Sequence, residues 1–419
     1  MRSINASIIT IGDELLIGQT IDTNSAFIGQ SLNKIGIWLK RRVAVGDVKD
    51  EILNALQEQS KNNDIIIITG GLGPTADDIT KPALCEYFNS SLIVDENVLQ
   101  HVTNIFARFN RPMIERNAKQ AEVPDNCLVL HNERGTAPGM WFEKDDVIYI
   151  SLPGVPHEMK GLIEHQVIPR LLQKLELPAV SHRTLLTAGQ GESVIADKLT
   201  TFEAALPSHI KLAYLPAYGM VRLRLTGRTN DASTLEIELG EYFDQLKGLV
   251  NEWMVADKDI SIAEAIIQLF KTKGKTLATA ESCTGGYIAH LITSIAGSSA
   301  IYNGSIVSYA NSAKENLLGV EPSTLQEFGA VSEETVQQMA QGVLKAMSTD
   351  YAIATSGIMG PDGGSPEKPV GTVWIAVANK ERTKAIKLHF RFDRQRNIEL
   401  TAHTALNLLR LFILEEEKE

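Results

Sequence analysis

The run Asp64-Ile65-Ile66-Ile67-Ile68-Thr69 constrains the fold of this chain more than any other stretch. Four consecutive β-branched residues leave no polar side for water, so a strand made of them must be covered on both faces. A parallel sheet sandwiched between helices meets that condition, and the flanking sequence supplies the layers. Residues 7–11 read as strand, 24–32 as an amphipathic helix and 39–45 as extended. Residues 50–60 read as a helix with Asp50 in its first turn, where negative charge suits the helix dipole. The first third is therefore expected to be α/β and doubly wound.

At 419 residues the chain is long enough for two or three domains. From about Arg170 to Trp253 the pattern changes. Residues 183–187 and 211–214 read as strands and 193–202 as a helix. Val221-Arg222-Leu223-Arg224-Leu225 alternates as a half-exposed strand does, and 231–249 reads as a long helix. This is a small α+β unit, set off by Leu177-Pro178-Ala179 before it and Asp257-Lys258-Asp259 after it. The last part returns to alternating β and α. The expected domains are 1–170, 171–256 and 257–419.

Hydrophobic residues make up 44% of the chain, ample for buried cores, and no apolar run reaches membrane-spanning length. The N-terminus meets Asp13-Glu14 after one short apolar strand, so no signal peptide is expected. Cys85, Cys127 and Cys283 are too widely spaced for a disulfide framework or a zinc site, and a reducing cytoplasm is the expected compartment. A net charge of −11 argues against broad nucleic-acid affinity, which draws on many phosphate contacts from Lys and Arg. Residues 415–419, nearly all glutamate, read as a frayed, solvated tail.

The four-isoleucine strand runs into Gly70-Gly71-Leu72-Gly73-Pro74-Thr75-Ala76-Asp77-Asp78. Gly70, Gly71, Gly73 and Thr75 at the mouth of a helix let backbone N–H groups approach a phosphate. Asp77 and Asp78 beside them invite a divalent cation that bridges to the substrate. Equally, the two acids stabilise a helix N-terminus. Asp13 and Glu14 follow the first strand. They converge with Asp77 if the first strand and the 64–69 strand are near neighbours. Arg116 and Lys119 are either phosphate partners or solvated residues on a helix face.

A second constellation lies near the other end of the chain. Thr276-Leu277-Ala278 leads into Thr279-Ala280-Glu281-Ser282-Cys283-Thr284-Gly285-Gly286, and a helical pattern starts near Ile288. Strand, small-residue turn, helix is a geometry that exposes a nucleophile and frees backbone N–H groups for an oxyanion. Ser308-Tyr309-Ala310-Asn311-Ser312-Ala313-Lys314, the loop Ser356-Gly357-Ile358-Met359-Gly360 and the arginines Arg394 and Arg396 all fall near predicted strand ends. Ligands bind there in open α/β sheets.

The strings AESCTGG, YANSAK, SGIMGPDGG, KPVGTVW and DRQR, in that order from about Ile260 onward, closely resemble the C-terminal domain of the CinA family (competence/damage-inducible protein A). The resemblance implies hydrolysis of nicotinamide mononucleotide to nicotinic acid mononucleotide and ammonia, without a cofactor. Ser282 would attack the carboxamide, and Lys314, 32 positions on (314 − 282), would take its proton. Burial and a neighbouring cation, Arg394 or Arg396, would keep that amine neutral. N–H groups of Cys283, Thr284, Gly285 and Gly286 are candidate oxyanion donors. Tyr309 would orient the ring or Lys314, with Ser356, Gly357 and Gly360 lining the site and an arginine on the phosphate. Taken without the family, Lys314 reads as an ordinary solvated lysine. Cys283 is the rival nucleophile, read here as a packing residue.

The N-terminal blocks, with Glu115-Arg116-Asn117, Gly135-Thr136-Ala137-Pro138-Gly139 and Leu152-Pro153-Gly154-Val155-Pro156, resemble the CinA N-terminal domain, which is similar to the MoaB/MogA fold. That implies an ADP-ribose pyrophosphatase yielding AMP and ribose 5-phosphate. It would need magnesium, manganese or cobalt at Asp13, Glu14, Asp77 and Asp78, with potassium assisting and Arg116 on phosphate. The middle unit resembles the family's KH-type domain. Its Gly189-Gln190-Gly191-Glu192 lacks the Gly-x-x-Gly spacing of an RNA clamp, which favours a spacer or dimerisation role. A homodimer is expected from the family. Two rivals stay open: a molybdopterin-binding or adenylyl-transferring protein, and a non-enzymatic competence factor that binds nucleic acid.

Overall fold

The computed structural model describes residues 4–75 and 77–416. They form two compact units, residues 1–181 with 227–236 and residues 182–226 with 237–419.

In the first unit the six-stranded sheet runs Trp38–Val45, Asn5–Ile11, Ile65–Thr69, Val147–Leu152, Gly139–Lys144, Leu128–Leu130. The first four strands are parallel, and the last two turn antiparallel. The isoleucine run behaves as its composition demands. Ile65 and Ile67 pack into one core with Ile28, Leu32 and Met159, while Ile66 and Ile68 pack into the opposite core with Ile52, Leu56 and Leu84. All four are fully buried, each contributing about 1.5–3 kcal/mol relative to exposure. Asn5–Ile11 pairs directly with Ile65–Thr69 on one side and Trp38–Val45 on the other. The chain reverses its direction of travel across the sheet at that point, so a crevice opens beyond the strands' carboxyl ends.

In the middle region a four-stranded sheet, ordered Ile210–Ala217, Met220–Thr229, Ala179–Ala188, Met254–Ala256, the last pair antiparallel, carries the helices Glu192–Ala205 and Ala232–Val250. Gly189-Gln190-Gly191 joins a strand to a helix and not one helix to another, so the segment lacks the setting of a helix-flanked nucleic-acid clamp. Leu186, Ala188 and Met220 share one core with Ile262, Ile266 and Leu406. The buried Arg410 donates from its guanidinium to the Met254 carbonyl at 3.1 Å.

The last region holds a five-stranded sheet ordered Tyr302–Val307, Leu277–Glu281, Tyr351–Gly357, Thr372–Ala378, Thr383–His389. Its first three strands are parallel. Helices Ile262–Lys273, Tyr287–Thr293 and Arg394–Glu416 cover one face and Glu333–Met347 the other. The expected frayed tail is corrected in part. Helix Arg394–Glu416 includes Glu415 and Glu416, which accept hydrogen bonds from Lys384, Tyr351 and Asn379. Residues 417–419 lie outside the described residues, as does Ala76. Among the described residues no helix is long and apolar enough to cross a membrane.

Candidate active sites

Leu277–Glu281 is the middle of three parallel strands, so whatever follows Glu281 emerges between the ends of its neighbours. Ser282 follows it directly. Gly285 and Gly286 then take φ of +60° and +96°, a left-handed turn that a side chain would strain, and helix Tyr287–Thr293 begins. One neighbouring strand delivers Ser308 and Tyr309 at its end, with Lys314 on helix Asn311–Leu318. The other delivers Ser356 and Gly357.

The two residues 32 positions apart meet. Lys314 Nζ lies 3.1 Å from Ser282 Oγ, 2.7 Å from the Ser308 carbonyl and 3.3 Å from the Tyr309 carbonyl. Lys314 is 1% exposed, which removes the reading as a solvated surface lysine. Burial pushes its amine below the usual lysine range. No arginine contributes to that shift, so the expected help from Arg394 or Arg396 is corrected: desolvation lowers the value, opposed by the neighbouring Cys283. A neutral amine has two hydrogens and one lone pair. With the hydrogens on the two carbonyls, the lone pair is left for the Ser282 hydroxyl.

Around this pair a cavity of about 280 Å³ is lined by Cys283, Tyr309, Ser356, Gly357, Gly360 and Arg394, with Met359 and Val331 as an apolar wall. Arg394 donates to the Gly360 carbonyl at 2.8 Å and the Tyr309 hydroxyl at 3.2 Å. The Ser356 hydroxyl is turned to the Ala330 carbonyl at 2.6 Å. Cys283 is buried, and desolvation pushes its thiol up to about 12, far from a thiolate at neutral pH.

Several sequence expectations need correcting here. Arg396 does not line the cavity; it is exposed and stacks 4.4 Å over the Phe392 ring. Thr284 is buried with its hydroxyl on Thr355, 2.8 Å away. The Gly285 N–H is taken by the Ser282 carbonyl and the Gly286 N–H by the Glu281 carboxylate. Neither glycine N–H is open to an oxyanion, which leaves those of Cys283 and Thr284. Glu281, missed from sequence, sat in plain view as an acid just before a helix start.

The first unit has its own cavity, also about 280 Å³, in the crevice between Asn5–Ile11 and Ile65–Thr69. Glu14, Asp22, Asp47, Asp77 and Asp78 line it together with Gly70 and Gly71. Asp47 was not foreseen. It follows the strand Trp38–Val45, and its carboxylate accepts from the Asp13 N–H at 3.1 Å. Burial first, then the charges of Asp13, Glu14 and Asp77, push the Asp47 carboxyl up.

The phosphate-loop expectation is corrected in part. The Gly70 N–H binds the Leu152 carbonyl. The Gly73 and Thr75 N–H groups both donate to Asp78 at 2.8 Å. The loop thus closes on its own carboxylate, and neither Gly73 nor Thr75 lines the cavity. Asp78 is committed to that closure. Asp13 accepts from the Asp47 N–H at 3.3 Å and is not in the cavity wall. Arg116 is exposed on the short helix Glu115–Ala118, away from the lining, as is Lys119. Among the described residues no three His, Cys, Asp or Glu side chains are grouped to hold a metal ion by themselves. The oxygen-only donor set still suits a magnesium-class ion, which commonly takes one or two carboxylates and completes its shell with water and substrate phosphate.

The whole chain has close relatives. The CinA-like protein of Cytophaga hutchinsonii is 47% identical over 407 residues, 97% of each chain. That of Flavobacterium psychrophilum is 46% identical over 408 residues, 97% of this chain and 98% of its own. Among solved structures, the competence/damage inducible protein CihA from Agrobacterium tumefaciens is 43% identical. It covers 36% of this chain and 92% of its own, with a TM-score of 0.35. Three family models match in succession: a probable molybdopterin binding domain over residues 7–173, the damage-inducible protein CinA KH domain over 182–255 and the CinA C-terminal domain over 259–413. With relatives this similar along nearly its full length, the chain belongs to the CinA family and has that family's three-domain architecture.

Proposed function

We propose that the C-terminal domain is an amidase acting on the carboxamide of nicotinamide mononucleotide. The observation that carries this reading is the buried contact between Lys314 Nζ and Ser282 Oγ, with two backbone carbonyls holding the amine's hydrogens. Ser282 attacks the amide carbon as Lys314 accepts its proton. Lys314 then passes that proton to the departing nitrogen, and ammonia leaves an acyl ester on Ser282. Water, deprotonated by the same amine, cleaves the ester to the acid. The N–H groups of Cys283 and Thr284 are the remaining donors for the oxyanion. Arg394 at the cavity wall is the partner for the nucleotide phosphate.

For the N-terminal domain we infer a metal-dependent cleavage of ADP-ribose to AMP and ribose 5-phosphate. The supporting observation is an acid-lined cavity at the reversal point of a parallel sheet. Two carboxylates of its wall, Glu14 and Asp77, would hold magnesium, manganese or cobalt, with potassium assisting. Such an ion, when bound, neutralises diphosphate charge. Gly71 is the loop glycine left at the cavity for a phosphate, and Asp47, its carboxyl raised by burial and then by its acidic neighbours, suits water positioning. Both activities suit a cytoplasmic homodimer that recycles pyridine nucleotides.

One experiment separates this reading from its rivals. The purified protein is incubated with nicotinamide mononucleotide and, separately, ADP-ribose, with and without divalent metal. Ammonia release without metal and AMP release with it support the proposal. Binding of a molybdopterin or adenylyl transfer, without either release, would favour a cofactor-handling protein. Tight single-stranded DNA or RNA binding at physiological salt, again without turnover, would favour a nucleic-acid factor.

A further inference from the structure

Directly behind the nucleophile lies a charged group that the proposed reaction does not use. Glu281 is the last residue of its strand and is 0% exposed. No cation pairs with it among the described residues. Its carboxylate instead accepts from the backbone N–H groups of Gly286 at 3.1 Å, Ile288 at 3.0 Å and Ala289 at 2.9 Å. The hydroxyls of Thr279 and Ser305 stand further off, each at 3.4 Å. These three N–H groups open helix Tyr287–Thr293, where free donors and the positive end of the helix dipole favour an anion. The chain supplies its own anion here, six positions before the first residue of the helix.

The consequence falls on Ser282. The turn from Ser282 to Gly286 is bounded on one side by Glu281 and on the other by the N–H groups that Glu281 holds. Within it the Gly285 N–H binds the Ser282 carbonyl at 3.2 Å, the Tyr287 N–H binds the Thr284 carbonyl at 3.0 Å and the Thr284 hydroxyl pairs with that of Thr355 at 2.8 Å, while its start is tied by the Ser282 N–H on the Thr355 carbonyl at 3.0 Å. Two left-handed glycines inside the turn would otherwise give it wide freedom. Because the helix N-terminus is already filled, it also cannot attract the substrate phosphate away from Arg394. We propose that Glu281 is a positioning residue: its carboxylate clamps the helix start and so fixes the turn that holds Ser282 against Lys314. This rests on the amidase reading of the Ser282–Lys314 pair.

Glu281→Gln preserves shape and size but sets an NH2 group among N–H donors. The test compares wild type and variant in two reactions. One is labelling of Ser282 by diisopropyl fluorophosphate, followed by intact mass: an O–P bond forms, the P–F bond breaks, and Lys314 takes the serine proton as fluoride leaves. The other is ammonia release from nicotinamide mononucleotide. The variant is expected to fall roughly 10²-fold in both labelling rate and kcat, the scale for a misplaced reacting group, with KM little changed. The pH midpoint of labelling, set by Lys314, stays where it is. A variant that keeps more than half of both rates overturns the proposal. Glu281→Asp, which keeps the charge but shortens the reach, is expected to label about tenfold more slowly or worse. If neither variant folds, Glu281 serves the fold as a whole and the proposal is overturned. Wild-type labelling without ammonia release would sink the substrate reading while leaving the labelling comparison decisive. Wild type that does not label at Ser282 overturns both.

Discussion

Replacing Lys314 by methionine removes the amine and keeps the chain length, so base chemistry separates from packing. Two hydrogen bonds to the Ser308 and Tyr309 carbonyls are lost, at about 0.5–1.5 kcal/mol each. Against that, an amine no longer has to be kept from water, a relief of about 1–3 kcal/mol. The net change in stability should lie within about 2 kcal/mol of zero. Activity is a different matter. General-base catalysis is worth about 10²–10⁴-fold, or about 3–5 kcal/mol of barrier, and the variant should lose all of it in an ammonia-release assay.

The same variant tests the titration. Burial depresses the Lys314 pKa below 10.5, so the folded chain sheds this proton at lower pH than the unfolded chain. Between the two values the unfolded state holds more protons, and wild-type stability rises with pH across that window. Methionine has no such dependence. Its advantage over wild type, measured by urea unfolding, is greatest at the low end of the window and shrinks toward pH 10.5. Wild-type kcat/KM rises with pH through the depressed value, because only the neutral amine accepts a proton. A variant retaining a tenth of wild-type activity, or a stability advantage that grows with pH, would refute the reasoning.

Three further outcomes are expected. Ser282→Ala abolishes ammonia release while Cys283→Ala keeps most of it, since a thiol at about 12 is almost wholly protonated at neutral pH; the opposite ranking transfers the nucleophile to Cys283. Arg394→Ala raises KM for nicotinamide mononucleotide about tenfold, the effect of losing one charged contact, whereas Arg396→Ala, remote from the cavity, leaves steady-state kinetics unchanged. Asp77→Ala removes metal-dependent AMP release from ADP-ribose and leaves amide hydrolysis near normal; loss of both, with an unaltered melting curve, would contradict separate sites.

Much of this was legible from local pattern. Four isoleucines in a row admit one kind of strand, and the turn at Ser282 announced itself by small residues between a strand and a helix. Contacts set by tertiary approach were harder to read. Spacing made Gly73 and Thr75 look open to phosphate, but only the folded loop brings Asp78 back onto their N–H groups. Asp47 enters the acidic cavity from a different strand end, 34 residues from Asp13. Arg394 and Arg396 are two apart on one helix, about 200° around its axis, so one lines the cavity while the other stacks outside on Phe392. Sequence proximity cannot tell which of two such neighbours faces in.

The shared core of Leu186, Ala188 and Met220 with Ile262, Ile266 and Leu406 bears on how the chain can be cut. Severed near residue 257, the C-terminal part would bare an oily flank to water, and the Arg410 guanidinium would lose its acceptor on Met254. The intervening α+β segment is thus a plinth for the C-terminal sheet and not a tether. A dissection that respects the molecule would keep both on one fragment, expressed from residue 179, where the strand Ala179–Ala188 begins.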